Sequence, residues 1–274
     1  MMLRLITIAL LSCGLLVCAE AHACSVLYYV DRQNGKIYVA NNEDYWYDVD
    51  AHIQIFPASG NKLARLWYGW DDFAQGGINE AGFFFDGAVT PEQLIPDGGH
   101  GPRGNLGDHL LARCRTVEDA LAVLDRKDIA LSNAHMMLGD ASGHAVVVEW
   151  LDGQRKLIPI RDNRLIMTNF LLSDPSRGNH PCPRYKAIEK QVVQLEESNG
   201  PVDLKAVGNA IAVAVQAPRE TDEGRLGGTL YSSFINITDM EFVLVHKLDN
   251  SRIIQLDLRK TFETNTKKRI ALNE

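Results

Sequence analysis

Cys24 is the residue whose setting best suits it for chemistry. It follows Ala21-His22-Ala23, and upstream lie Arg4 and an apolar run from Leu5 to Cys18 broken only by Ser12. A basic start, a short apolar stretch and an A-x-A end form the pattern of a cleavable export signal, residues 1–23. The apolar run is shorter than the ~20 residues that span a bilayer. Lipidation fits poorly, because Val17 precedes Cys18 and Ala21 stands where a lipidated Cys24 would want Leu. Cleavage after Ala23 would put a thiol and a free α-amine on the same residue. An α-amine titrates at roughly 7.7–8.0, so it can take the thiol proton near neutral pH. That pair is an N-terminal nucleophile.

Such a nucleophile needs a carboxylate beside it, and the adjoining elements supply one. Ser25–Asp31 and Lys36–Ala40 are β-branched and aromatic, and Asn34-Gly35 between them is a strong hairpin signal. Antiparallel pairing across that turn returns Asn41-Asn42-Glu43-Asp44 to the side of Cys24, so Asp44 can reach the mature N-terminus. Three cysteines remain after residue 23: Cys24, Cys114 and Cys182. An odd count leaves one free thiol. A Cys114–Cys182 bridge stays open at this point.

Further strands are expected at His52–Phe56, Ala64–Tyr68, Phe83–Phe85, Ala134–Leu138, His144–Trp150, Lys156–Ile160 and Leu165–Thr168. The closing strands are Leu230–Ile237, Phe242–His246 and Arg252–Leu258. Helices are expected at Leu106–Cys114, from the Thr116–Asp119 capping box to Arg126, at Pro183–Glu197 and at Leu204–Val215. The Gly/Pro-rich loop Pro96–Gly104 reads as mobile or near the site, and the tail from Thr261 as solvated. Hairpin-linked strands with grouped helices indicate an α+β layered fold. No repeat or linker interrupts it, so 24–274 reads as a single domain.

The 274 residues are 46% hydrophobic and 23% charged, with a net charge of −7. This is globular composition, and it excludes disorder, collagen and coiled coil. The acidic balance argues against a nucleic-acid partner. The eight His are scattered without an H-E-x-x-H pattern, so no metal is expected. No G-x-S-x-G occurs, which argues against a serine hydrolase. Trp67, Tyr68 and Trp70 suit core positions or the wall of an apolar acyl pocket.

Several segments in order resemble the N-terminal nucleophile amidases of the choloylglycine hydrolase type, which include penicillin V acylases and bile salt hydrolases. They are Cys24 heading a hairpin, Ala40-Asn41-Asn42-Glu43-Asp44, Gly77-Ile78-Asn79-Glu80-Ala81-Gly82-Phe83 and Cys114–Ala120. Gly139–Gly143 with Val148-Glu149, Met167-Thr168-Asn169 and Pro183-Arg184-Tyr185 complete the set. The resemblance implies a four-layer αββα sandwich of two antiparallel sheets. It implies a cofactor-free hydrolase of linear amide C–N bonds in N-acyl amides, such as acyl homoserine lactones, penicillin V-like amides or conjugated bile acids. By it, Cys24 attacks, Asp44 orients the amine or thiol, Asn169 donates to the oxyanion and Arg184 supplies positive charge near the thiolate. A backbone N–H near Val89 gives the second oxyanion donor. Asn41 stands where the family carries Arg and becomes a substrate contact. The mature protein is expected in the periplasm or secreted, away from the membrane, with a homo-oligomer left open. Two alternatives stand: an N-terminal-Cys dipeptidase, and a non-catalytic exported binding protein on the same scaffold.

Overall fold

Asn34-Gly35 makes the turn its composition demands. Gly35 lies in the left-handed region at φ 63°, where a residue without Cβ is unstrained. The Asp31 carboxylate accepts the N–H groups of Gln33 and Asn34. This turn joins β1 (Ser25–Asp31) to β2 (Lys36–Trp46) in antiparallel register. The computed structural model describes residues 24–273 other than 179, 199 and 221–223. The expected export signal, 1–23, lies outside the described residues.

The chain continues through β3 (Ala51–Phe56), β4 (Arg65–Trp70), β5 (Phe73–Asn79) and β6 (Phe84–Val89) to α1 (Leu106–Leu111) and α2 (Val117–Arg126). Next come β7 (Ala134–Gly139), β8 (Ala145–Leu151), β9 (Gln154–Pro159) and β10 (Arg164–Met167), then α3 (Pro183–Glu197) and α4 (Leu204–Ala212). The last elements are β11 (Arg219–Glu220), β12 (Leu226–Asn236), β13 (Glu241–His246), β14 (Ile253–Asp257), α5 (Leu258–Phe262) and β15 (Lys268–Ala271). One antiparallel sheet runs β10-β1-β2-β12-β13-β14, with β11 on β12. The other runs β15-β3-β4-β5-β6-β7-β8-β9.

Side-chain alternation along the strands produces the layers. Val26 and Tyr28 of β1 face the other sheet and pack with Ile53, Leu66 and Val147. Leu27 and Tyr29 face the opposite way, against Ile188 and Val192 of α3 and Val207 and Ile211 of α4. In the second sheet Phe84 joins the inter-sheet core, whereas Phe85 packs under Leu110 and Leu111 of α1 and Leu124 of α2. Helices on one sheet, two sheets face to face and helices on the other sheet make the expected αββα sandwich.

One expectation is corrected, and the open cysteine pairing is answered. The tail from Thr261 is not wholly solvated: β15 pairs with β3, Leu272 is buried and Arg269 reaches Asp50 at 2.6 Å. Apolar Ile270 and Leu272, two apart, carry that edge strand. Cys114 and Cys182 are both free; one lies under α1 and α2, the other caps α3 on the opposite side. The Pro96–Gly104 loop runs along α1, where His100 bridges to Ile129, and helps line a cleft of about 540 Å³ that contains none of the residues touching Cys24. Trp67 and Tyr68 are core residues, and Trp70 stacks on Tyr45.

β5 is a strand that propensity alone does not announce, because Gly76 and Gly77 interrupt it. A Cβ at Gly76 would strike Asp86 Oδ2 and the Tyr68 ring. Gly76→Ala should therefore destabilise the protein by about 1–3 kcal/mol through overpacking. Urea unfolding midpoints of variant and wild type would show it.

Candidate active site

The β1–β2 hairpin delivers what the turn promised. Ser25 pairs with Asn42, so Asn41–Asp44 lie beside Cys24. The Cys24 Sγ–H donates to Glu43 Oε1 at 3.1 Å, with both groups buried. Burial pushes the thiol well up, and the charges of Glu43 and Asp44 add to it. In the 274-residue chain the Cys24 nitrogen is still an amide, bonded to Ala23.

A bulge in β12 sets the far wall. Thr229 sits opposite Asp44 and Tyr231 opposite Glu43, so one extra residue is accommodated between them. Thr229 Oγ1 donates to Asp44 Oδ1 at 2.5 Å and Gln216 Nε2 to Oδ2 at 2.9 Å. Arg184 lies 3.7 Å from Oδ2. Burial raises the Asp44 carboxyl to about 7, against the pull of Thr229, Arg184 and Gln216.

That shift fixes the sign of a pH effect. Between the ordinary value of 3.8 and about 7 the folded chain holds a proton on Asp44 that the unfolded chain has lost. Stability from this group is therefore complete below pH 3.8 and falls as pH rises through about 7. Asp44→Asn should flatten that part of the stability profile, measured as urea midpoints at pH 4.5 and pH 7.5. An unchanged slope would show that the group does not titrate in this window.

Arg184 comes from the first turn of α3, which Pro183 opens. Its Nη1 donates to the Cys24 carbonyl at 3.0 Å and Ser25 Oγ at 3.1 Å. Its Nη2 donates to Asn169 Oδ1 at 3.0 Å, and Asn169 Nδ2 donates to the Val89 carbonyl at 2.8 Å. The guanidinium thus orients the Asn169 amide, so that the N–H₂ end is the one turned toward Val89. Val89 itself ends β6. Thr90 N–H bonds Asn133 O across to the β7 side, so antiparallel alternation turns the Val89 main chain the other way, out of the ladder. The structure therefore brings Cys24, Asp44, Asn169, Arg184 and Val89 into one chain of contacts.

Asn41, the expected substrate contact, lies on the Glu43 side of the nucleophile. It is fully buried, and its Nδ2 donates to Asp86 Oδ1 at 3.1 Å. Tyr68 OH donates to Asp86 Oδ2 at 2.8 Å. Burial raises the Asp86 and Glu43 carboxyls well above the usual range, and Asp86 adds to the effect on Glu43. Sequence reading did not single out Glu43 or Asp86, because an acidic residue in a strand ordinarily marks a solvated face.

His135 was also missed. Its Nδ1 meets Glu149 Oε1 at 2.8 Å and its Nε2 meets the Thr168 carbonyl at 2.7 Å, all without solvent exposure. Glu149 also accepts the N–H groups of Leu172 and Ser173. Burial pulls its carboxyl upward, but the His135 bond and charge and the Ser173 N–H outweigh it and leave it lowered. The pair anchors the Thr168 carbonyl, next in the chain to Asn169.

One other group could suggest an ion. Glu118, Asp140 and His144 bring ligand atoms within 4.8 Å of one another. Their donors are already engaged: His144 pairs with Glu118, and Asp140 accepts the N–H groups of Val117 and Ser142.

Residues 30–191 match the family model for acyl-coenzyme A:6-aminopenicillanic acid acyl-transferase, more than half of the chain. The chain belongs to that family. Among solved structures it is similar to penicillin V acylase from Agrobacterium tumefaciens, with a TM-score of 0.70 and 21% identity, covering 90% of each chain. It is also similar to a variant of conjugated bile acid hydrolase from Clostridium perfringens, with a TM-score of 0.73 and 16% identity, covering 90% of this chain and 96% of that one. At these identities the likeness is one of fold, and the expected relation to the choloylglycine hydrolase group holds at that level. No curated protein matches the sequence significantly. No helix among the described residues is long and apolar enough to cross a membrane.

Proposed function

We propose that this family member is an exported hydrolase of linear amide C–N bonds, with Cys24 as its nucleophile once residues 1–23 are removed. The freed α-amine takes the thiol proton and Sγ adds to the amide carbonyl. The carbonyl oxygen becomes an oxyanion, received by Asn169 Nδ2 and the Val89 N–H in place of the Val89 carbonyl contact. The C–N bond then breaks, the leaving amine carries away the proton, and the acyl group stays on Sγ as a thioester. Water attacks the thioester, releasing a carboxylic acid and restoring the thiol. Asp44 orients the amine or thiol, and Arg184 stabilises the negative charge passing through the site.

The observation that carries this reading is the relay from Cys24 through Arg184 and Asn169 to Val89. One guanidinium ties the nucleophile's own main chain to the amide donor, which is the preorganisation an oxyanion site needs. The neighbours act on penicillin V and conjugated bile acids by their names; those amides and acyl homoserine lactones form the first substrate panel. The test is to incubate the mature protein with the panel and follow acid and amine release in equal amounts. Stoichiometric release supports the reading. Binding without release of either half would make the protein a binding module instead.

A further inference from the structure

Glu43 lies fully buried against the nucleophile, and Asp86, equally buried, is close enough to act on Glu43. Among the described residues neither forms an ion pair with Lys, Arg or His. The groups around them are Cys24, Asn41, Tyr68, Gln75 and Tyr231, none of them cationic. The guanidinium nearest the nucleophile, that of Arg184, bonds the Cys24 carbonyl, Ser25 and Asn169 and lies beside Asp44. Three buried polar atoms in this group have no hydrogen-bond partner: Glu43 Oε2, Asn41 Oδ1 and Tyr231 OH. Buried acceptors left unpaired are costly, and without a counter-charge burial holds both carboxyls toward their neutral form. The cluster therefore holds no positive charge and keeps acceptor capacity to spare. A primary ammonium brings one charge and three donors in a small volume.

We infer that the acyl half of the substrate carries an ammonium that docks on Glu43 beside Asn41 and Asp86, making the protein a hydrolase of short aminoacyl amides. This rests on the hydrolase reading above. The distance limits the acyl length. Glu43 Oε1 is 3.1 Å from Sγ, and a charge-assisted N–H···O bond is roughly 2.7–2.9 Å. An acyl group bonded to Sγ through its carbonyl carbon meets that carboxylate only if its nitrogen is one or two carbons away. The class is thus amides of α- and β-amino acids. The reaction is as above: the amine half leaves with a proton, the aminoacyl thioester forms on Sγ, and water releases the free amino acid.

The test compares glycyl- and β-alanyl-p-nitroanilide with their uncharged counterparts, propionyl- and butyryl-p-nitroanilide, on the mature protein. The aminoacyl substrates should be preferred by about 100-fold in kcat/KM. Glu43→Gln should bring that ratio to within about tenfold of one, whatever it does to the absolute rate, and Asp86→Asn should move it the same way. The second variant keeps the test standing if the first does not fold. A wild-type ratio near one, or a ratio unchanged in both variants, overturns the inference while leaving the hydrolase reading intact. Failure of p-nitrophenyl acetate to acylate Cys24 would overturn both together.

Discussion

Replacing Cys24 by alanine should abolish amide hydrolysis, with kcat/KM falling by at least about 10⁴-fold. Removing a nucleophile leaves the oxyanion donors in place but gives the carbonyl nothing to bond. The fold should survive. Cys24 heads β1, its one side-chain hydrogen bond goes to Glu43, and alanine keeps the Cβ in the inter-sheet core. Serine should fare little better, because its hydroxyl surrenders a proton to an amine far less readily than a thiol does. Far-ultraviolet circular dichroism and product chromatography would separate lost chemistry from lost structure. A variant within tenfold of wild type would show that another residue attacks.

Asn169→Ala should cost about 10²–10³ in kcat, the usual price of one oxyanion donor. The fall should appear in kcat with little change in KM, because Nδ2 meets charge that exists only after attack. The same substitution strips Arg184 of its Nη2 acceptor and the Val89 carbonyl of its donor. Main-chain positions should be kept, since the Thr168 carbonyl is anchored separately by His135. A rise in KM at constant kcat would mean that Asn169 binds the ground-state amide instead.

The parts of this account legible in the sequence are those governed by short-range rules. Asn34-Gly35 announced the hairpin, β-branched and aromatic runs announced β1 and β2, and together they brought Asp44 back to Cys24. Pro183 marked the start of α3, and Thr116 with Asp119 marked α2, whose capping box is present in the structure. The α+β layering followed from hairpins with grouped helices, and the two-sheet sandwich from the family resemblance. The parts not legible depend on contacts distant in sequence. β5 is paired because its neighbours leave room only for glycine, and β15 because two apolar residues find an edge. Glu43, Asp86 and His135 look like surface residues until the two sheets close over them. The bulge between Thr229 and Tyr231 leaves no mark in composition, yet it sets both β12 residues against Asp44 and Glu43.

The measurement that bears most directly on the central claim is tandem mass spectrometry of the mature protein trapped with an activated ester. The account predicts a chain that begins at Cys24, with a free α-amine and a single acyl group on that residue's sulfur. An active protein whose first residue is any other, or whose acyl group sits on a different side chain, would contradict it.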